Sequence, residues 1–390
     1  MPTRIVIVGG GAIGAAAACF LARDHGIAAT VIERDPSYAR ASSALSASSI
    51  RQQFSTPLNI ALSQESLAFY RRIGEELAVE SDAPSIGLVE RGYLYLASVA
   101  GRGALEANHA VQRAHGAEVA QLEPESLRAR FPWLATDGIA LASLGLAGEG
   151  WFDGWSVLQA FRRKAIACGA RFVTAEALPL AGDAGRIDGV RCADGRRFEA
   201  DAVLVAAGAW SAPLLRDLGV DLPVRARKRD VFVFDAPTPL PGCPLVIDPG
   251  GVWFRPEGEH GRFITGAPPR GDDADDVPLD DIDHGLFEEV IWPALAARVP
   301  AFEALRVRSA WAGYYELNTF DHNGLVGPLP GWPDLHLACG FSGHGLQHAP
   351  AVGRGIAAWL ATGAWHGSDL SPLSPARLAA GRPLIERNVI

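Results

Sequence analysis

Two groups of residues in this chain have types and spacing that suggest chemistry. The stronger is Val8-Gly9-Gly10-Gly11-Ala12-Ile13-Gly14, whose glycines at 9, 11 and 14 fit G-x-G-x-x-G after a strand and at the opening of a helix. In that setting Gly9 permits a tight turn and Gly11 lets backbone approach a pyrophosphate. Ala12 and Ile13 begin the helix whose N-terminus receives it, and Gly14 allows close helix-on-strand packing. Glu33 lies 19 positions beyond Gly14, where a carboxylate accepts from ribose hydroxyls. Glycines so spaced also form plain tight turns; the acid is what favours a dinucleotide. Arg34 could meet a 2′-phosphate, but the adjacent acid repels one, which disfavours NADP and leaves NAD and FAD both open. The weaker group is His344 and His348, four apart at a helix start. They imitate a metal pair, but the glycine turn beside them and the lack of a carboxylate ligand argue for no metal. The acids from Asp272 to Asp283 lack calcium-loop spacing and read as a solvated loop.

The elements that must position the glycine loop follow from apolar patterning. Ile5 to Val8 is an all-apolar strand of the kind buried on both faces of a parallel sheet, Ala12 to His25 a tightly packed helix, and Ala28 to Ile32 the next strand. A small-residue loop, Ala41 to Ser49, precedes a buried helix from Asn59 to Leu77. Gly92 to Leu96 alternates in bulk like a strand of a second sheet. Trp155 to Cys168 reads as a helix and Arg171 to Thr174 as a strand, with a hairpin turning at Asp194-Gly195. Ala202 to Ala206 returns to the parallel sheet. Residues 220 to 318 are β-like and aromatic, and Leu335 to Leu360 gives a strand, a glycine turn and a helix with Pro350 near its first turn. The expected fold is α/β: a Rossmann-like dinucleotide-binding domain (1–85, 150–218 and 320–390) interleaved with an α+β substrate domain on a mixed or antiparallel sheet (86–149 and 219–319).

A chain of 390 residues exceeds what one core usually organises. Hydrophobic residues at 48% exclude disorder, and a net charge of −9 argues against a nucleic-acid partner. Five scattered cysteines suggest neither a disulfide scaffold nor a zinc site. Glycines interrupt the apolar N-terminal run, and no stretch is long enough to span a bilayer, so a cytoplasmic protein is expected. Only Lys164 and Lys228 are lysines.

Two further segments, Val203-Leu204-Val205-Ala206-Ala207-Gly208-Ala209-Trp210-Ser211 and Cys339-Gly340-Phe341-Ser342-Gly343-His344-Gly345-Leu346-Gln347, resemble flavin-binding segments of the D-amino-acid oxidase superfamily. Trp311 to Gly324 resembles the branch of sarcosine oxidase and of sarcosine and dimethylglycine dehydrogenases, with a mitochondrial group of FAD-dependent oxidoreductases that assist complex I assembly. The resemblance runs from Arg4 to about Leu360. It implies a glutathione-reductase-type FAD domain and FAD as cofactor. The turn holding Gly340, Gly343, His344, Gly345, Leu346 and Gln347 would direct a helix N-terminus at the pyrimidine edge of the isoalloxazine. Ala207, Gly208 and Trp210 would lie beside the FAD. Ser42 and Ser43 would donate to pyrophosphate or ribitol, or else satisfy their own loop. Some members link flavin covalently, but no cysteine lies between Ala310 and Glu316 and no histidine between His25 and His109, so noncovalent FAD is expected.

The resemblance also implies a reaction: a hydride equivalent leaves the carbon beside a neutral nitrogen for flavin N5, and the imine is hydrolysed. Arg51 matches the carboxylate-binding arginine of sarcosine oxidase and is the first choice for substrate binding, with a structural role, for one of 33 arginines, as the weaker alternative. Gln347 stands where that oxidase has a second cation, and Arg255 could supply the missing charge. Tyr315 and His322 would shape the pocket or order the amine, although Tyr314 and Tyr315 read equally as strand aromatics on opposite faces. Gly261 to Gly266 lacks the lysine that speeds reaction with O2, favouring a dehydrogenase. Lys228 lies on another strand and would pair with acids or the flavin edge. The expected substrate is a small N-substituted amino acid or related amine; the electron acceptor, O2 or another, stays open. A noncatalytic FAD-containing assembly protein and a D-amino-acid dehydrogenase are the alternatives.

Overall fold

The computed structural model describes residues 4–258 and 261–388. Ile5–Val8 is buried throughout and occupies the interior of a six-stranded sheet, pairing in parallel with Thr30–Glu33 on one side and Ala202–Val205 on the other. Arg171–Thr174 extends the sheet beyond Thr30–Glu33, and Trp332–Cys339 extends it beyond Ala202–Val205, both in parallel. Leu325–Leu329 closes that edge as an antiparallel hairpin strand. Long helices cover one face of these strands, and the hairpins around Ile187, Val190 and Cys192 with Leu214, Leu215 and Leu222 cover the other, so Ile5–Val8 and Ala202–Val205 have no solvated face and carry no alternation.

The helix Ala12–His25 ends at Gly26, whose left-handed φ of 67° closes the last turn. Its alanine face admits the helix Gly345–Thr362 so closely that a Cβ on Gly353 would lie 2.5 Å from Ala16 Cβ. Phe20, Phe69 and Phe161 from three helices fill the core on this side of the sheet. Asp153 caps the helix Gly154–Ala167 by accepting from Ser156 N–H.

The second sheet has eight strands, in the order Arg306–Asn318, Val224–Asp235, Arg262–Gly266, Trp253–Pro256, Leu245–Ile247, Tyr93–Ala97, Leu141–Gly145 and Val119–Leu122. Only Leu245–Ile247 and Tyr93–Ala97 pair in parallel. The two longest strands are antiparallel, with Arg229 opposite Gly313 and Arg227 opposite Tyr315.

Three readings of the sequence need correction. The helix expected from Asn59 to Leu77 is two, Pro57–Tyr70 and Ile73–Glu76; Ile73 and Leu77 stay buried, so their spacing reported burial rather than one continuous helix. Within the region read as β-like, residues 284–304 form consecutive helical turns that bury Phe287, Ile291, Leu295, Val299 and Phe302 against the second sheet. Pro350 is in the second turn of its helix, not the first. Lacking an N–H, it leaves the Leu346 carbonyl free, and that carbonyl accepts from Tyr70 O–H at 2.7 Å. No helix among the described residues is long and apolar enough to cross a membrane.

Candidate functional site

A cavity of about 760 Å³ runs from the carboxyl ends of the parallel strands to the face of the second sheet. Gly9, Gly11, Ala12 and Ile13 form its floor at one end. Gly9 has φ +100°, and a Cβ there would stand 2.4 Å from the Ala206 carbonyl oxygen, so the turn admits only glycine. Gly14 does not reach the cavity; it packs on the Gly9 carbonyl.

Glu33 lines the same end and also ties the loop together, accepting from Gly10 N–H at 2.8 Å and from Asp35 N–H at 2.9 Å. Arg34 lines the wall with its guanidinium 4.1 Å over the Trp210 ring. Ala207 and Gly208 continue that wall, and Ser42 and Ser43 stand across from the glycine loop. Ser42 Oγ is buried with no hydrogen-bond partner in the protein, an orphan that a phosphate or ribitol oxygen would satisfy.

At the other end Gly343, Gly345, Leu346 and Gln347 meet Tyr315 and Glu316. A Cβ on Gly343 would sit 2.5 Å from the Tyr315 ring, so the helix start and the strand approach only through glycine. Gly340 lies outside the lining and donates its N–H to Glu316 Oε2 at 2.9 Å. Burial pushes the Glu316 carboxyl up from 4.5 to about 7, against the bonds from Gly340 and Phe341 N–H. Sequence reasoning passed over this acid, and it passed over Arg229, Asp230 and Trp253, which also line this end. An acid surrounded by apolar and aromatic residues, in Gly313-Tyr314-Tyr315-Glu316-Leu317, was the available signal.

Several expected site residues point elsewhere. Arg51 lies outside the lining, its guanidinium donating to the carbonyls of Gln53 and Asn388 and resting 4.0 Å over the Phe54 ring. Arg255 is spent on Glu257 and the Ala47 carbonyl. Gln347 Oε1 accepts from Arg51 N–H at 2.9 Å. His322 is turned away because the buried Arg377–Asp321 pair, at 2.7 Å, pins the Asn318–Asn323 turn; its Nδ1 meets the Glu386 carbonyl instead. His344 packs between Phe54 and His348, with burial pulling its imidazole down to about 3, so it fills space as a neutral ring. Among the described residues no three His, Cys, Asp or Glu side chains converge as a metal site would require. Lys228 meets Asp230 at 3.4 Å and donates to the Asp281 carbonyl. The acids of the Asp272–Asp283 loop are not merely solvated: Asp273 and Asp275 pair with Arg229 and Arg227.

Around Arg51 a late segment of the chain packs down. Glu386, fully buried, accepts from Ser55 N–H and Oγ, Thr56 N–H and Asn59 Nδ2, all within 3.0 Å. Burial works against its charge, but the Ser55 bonds and nearby Arg51 hold its carboxyl below the ordinary 4.5.

A glycine cradle, an acid at the second strand end and a long cavity between two sheets define a dinucleotide-binding enzyme fold. Residues 4–359 match the family described as FAD dependent oxidoreductase, DAO, and the chain belongs to that family. FAD is its cofactor. The chain is 42% identical over 421 residues to FAD-dependent oxidoreductase domain-containing protein 1 of Xenopus laevis, covering 99% of this chain and 84% of the relative. Among solved structures, L-proline dehydrogenase from P. horikoshii superposes with a TM-score of 0.84 at 25% identity, over 98% of this chain and 99% of the other. Glycine oxidase from Geobacillus kaustophilus gives 0.81 at 27% identity, over 95% and 98%.

Proposed function

We propose that the chain oxidises the C–N bond of an N-substituted, secondary or tertiary, amino acid, in the manner of the sarcosine and dimethylglycine dehydrogenase branch. The observation that carries this reading is one continuous cavity joining the glycine loop to an end lined by Tyr315, Trp253 and Gln347. FAD, which would be held without a covalent link, would supply a two-electron acceptor. Gly9, Gly11, Glu33 and Ser42 would hold its nucleotide and phosphates, and the Gly343–Gln347 helix start would hold its other end. The aromatic walls exclude water and orient the amine so that the carbon beside nitrogen faces the acceptor. The substrate loses a hydride from that carbon, and its nitrogen lone pair closes the C=N bond. Water adds to the iminium, releasing a proton, an amine and a carbonyl compound. No lysine is among the described residues lining the cavity, which supports a dehydrogenase over a fast oxidase.

Anaerobic mixing of the yellow holoprotein with N-methyl, D- and L-amino acids and imino-dicarboxylic acids tests the reading. Bleaching of the visible flavin bands by an N-substituted acid is expected, and reoxidation by O2 slower than by an artificial acceptor. A flavin left oxidised by the whole panel overturns it. That outcome favours the second reading, an FAD-containing assembly protein without turnover, for which the already engaged Arg51 and Arg255 speak.

A further inference from the structure

Three arginines line the cavity: Arg34, Arg40 and Arg229. Arg34 stacks on Trp210, and Arg40 belongs to the loop that follows Glu33, so both serve the nucleotide end. Arg229 alone of the three comes from the second sheet. It stands opposite Gly313 on the neighbouring strand, so its diagonal neighbour is Tyr315, over whose ring the guanidinium rests at 5.2 Å. Its remaining face is taken by a carboxylate: Asp273 accepts two parallel bonds, at 2.8 and 2.9 Å, in the fork geometry an arginine offers any carboxylate.

Asp273 is not part of the cavity wall. It lines a second space of about 420 Å³ that shares Arg229, Asp230 and Ala267 with the first. Asp273 also lies 3.9 Å from Arg227, so released from Arg229 it keeps a cation beside it. The other acids near Arg229 are engaged elsewhere: Asp230 with Lys228 and the Asp283 N–H, Glu316 with Gly340.

We propose that Arg229 is the carboxylate receptor at the substrate end of the cavity, and that Asp273 occupies it until a substrate carboxylate takes its place. The inference rests on the amino-acid substrate class proposed above and assigns its recognition to a residue other than Arg51. Binding then exchanges one carboxylate for another on the same fork, and the segment bearing Asp273 stays anchored by Arg227, which Asp275 already pairs at 2.8 Å. An amine without an acid group leaves Asp273 in place and binds weakly.

The holoprotein is titrated with benzoate and with uncharged benzamide, each read from the shift in the visible absorbance of bound flavin. Arg229→Gln weakens benzoate at least tenfold and leaves benzamide unchanged, since only the charged ligand loses a charge-assisted pair of hydrogen bonds. Asp273→Asn tightens benzoate roughly tenfold by emptying the fork. If Arg229→Gln fails to retain flavin, Asp273→Asn decides. Benzoate affinity unchanged in Asp273→Asn, no flavin shift with benzoate in either wild type or Asp273→Asn, or a loss of benzoate binding in Arg51→Gln but not Arg229→Gln overturns the assignment. These ligands are not oxidised, so the result stands apart from whether any amino acid bleaches the flavin: the panel failing in wild type sinks the reaction, not the receptor.

Discussion

Glu316 offers a direct test of the electrostatics inferred for the cavity. Its carboxyl is half-buried at the cavity wall and accepts from the N–H groups of Gly340 and Phe341, while the adjacent Cys339 thiol is itself pushed up by burial and stays neutral. Raising the ionisation from 4.5 to about 7 corresponds to about 3 kcal/mol of folding free energy. The sign follows from proton binding. Between pH 4.5 and 7 the folded chain retains a proton that the unfolded chain has lost, so stability falls with rising pH through that window and is flat above it. Glu316→Gln keeps an acceptor for Gly340 and cannot ionise. In denaturant titrations of the flavin-free chain, the variant should gain about 3 kcal/mol on wild type between pH 4.5 and pH 8. Any fixed packing penalty of the amide cancels in that difference. Parallel pH profiles for the two proteins would refute the reasoning, because they would mean that the acid ionises as it does in water.

Two further substitutions probe the nucleotide end and the late segment. Gly9→Ala places a methyl against the Ala206 carbonyl at a backbone angle that alanine avoids, and should abolish flavin retention, measured as the ratio of 450 to 280 nm absorbance; full flavin content in a stably folded variant would contradict the cradle. Glu386→Gln removes a carboxylate whose folded ionisation lies below 4.5, so its stabilisation is present above that pH and fades as pH falls below it. The variant should be less stable than wild type by about 1–3 kcal/mol at pH 7, with the gap narrowing below pH 4.5; a gap independent of pH would refute the charge argument.

The parallel sheet was legible because its inner strands are short apolar runs punctuated by glycine: Ile5–Val8 and Ala202–Val205 fall where their residues suggest, as do the edge strand Arg171–Thr174 and the helix Ala12–His25. The helical turns after His284 were missed although Phe287, Ile291, Leu295 and Val299 recur at intervals of four, because aromatic strand text surrounds them. At the site, the glycines and Glu33 declared themselves through spacing within one βαβ unit. Arg51 did not, since its surroundings are set by Asn388, more than 300 positions away. Arg229 was invisible for a related reason. Arg225, Arg227 and Arg229 share one face of Val224–Asp235, and only what the partner strand places beneath each of them sets Arg229 apart.

The Glu386 clamp has a consequence for biosynthesis. The turn at Ser55 and Thr56 is translated early, yet its amides find their acceptor only when a residue some 330 positions downstream has been made. During that interval the turn has no carboxylate to organise it, and long-separation closures of this kind come slowly. Maturation should therefore finish at this corner, after both sheets have formed, and a nascent polypeptide stalled short of Glu386 would carry a finished nucleotide cradle beside an unsealed seam.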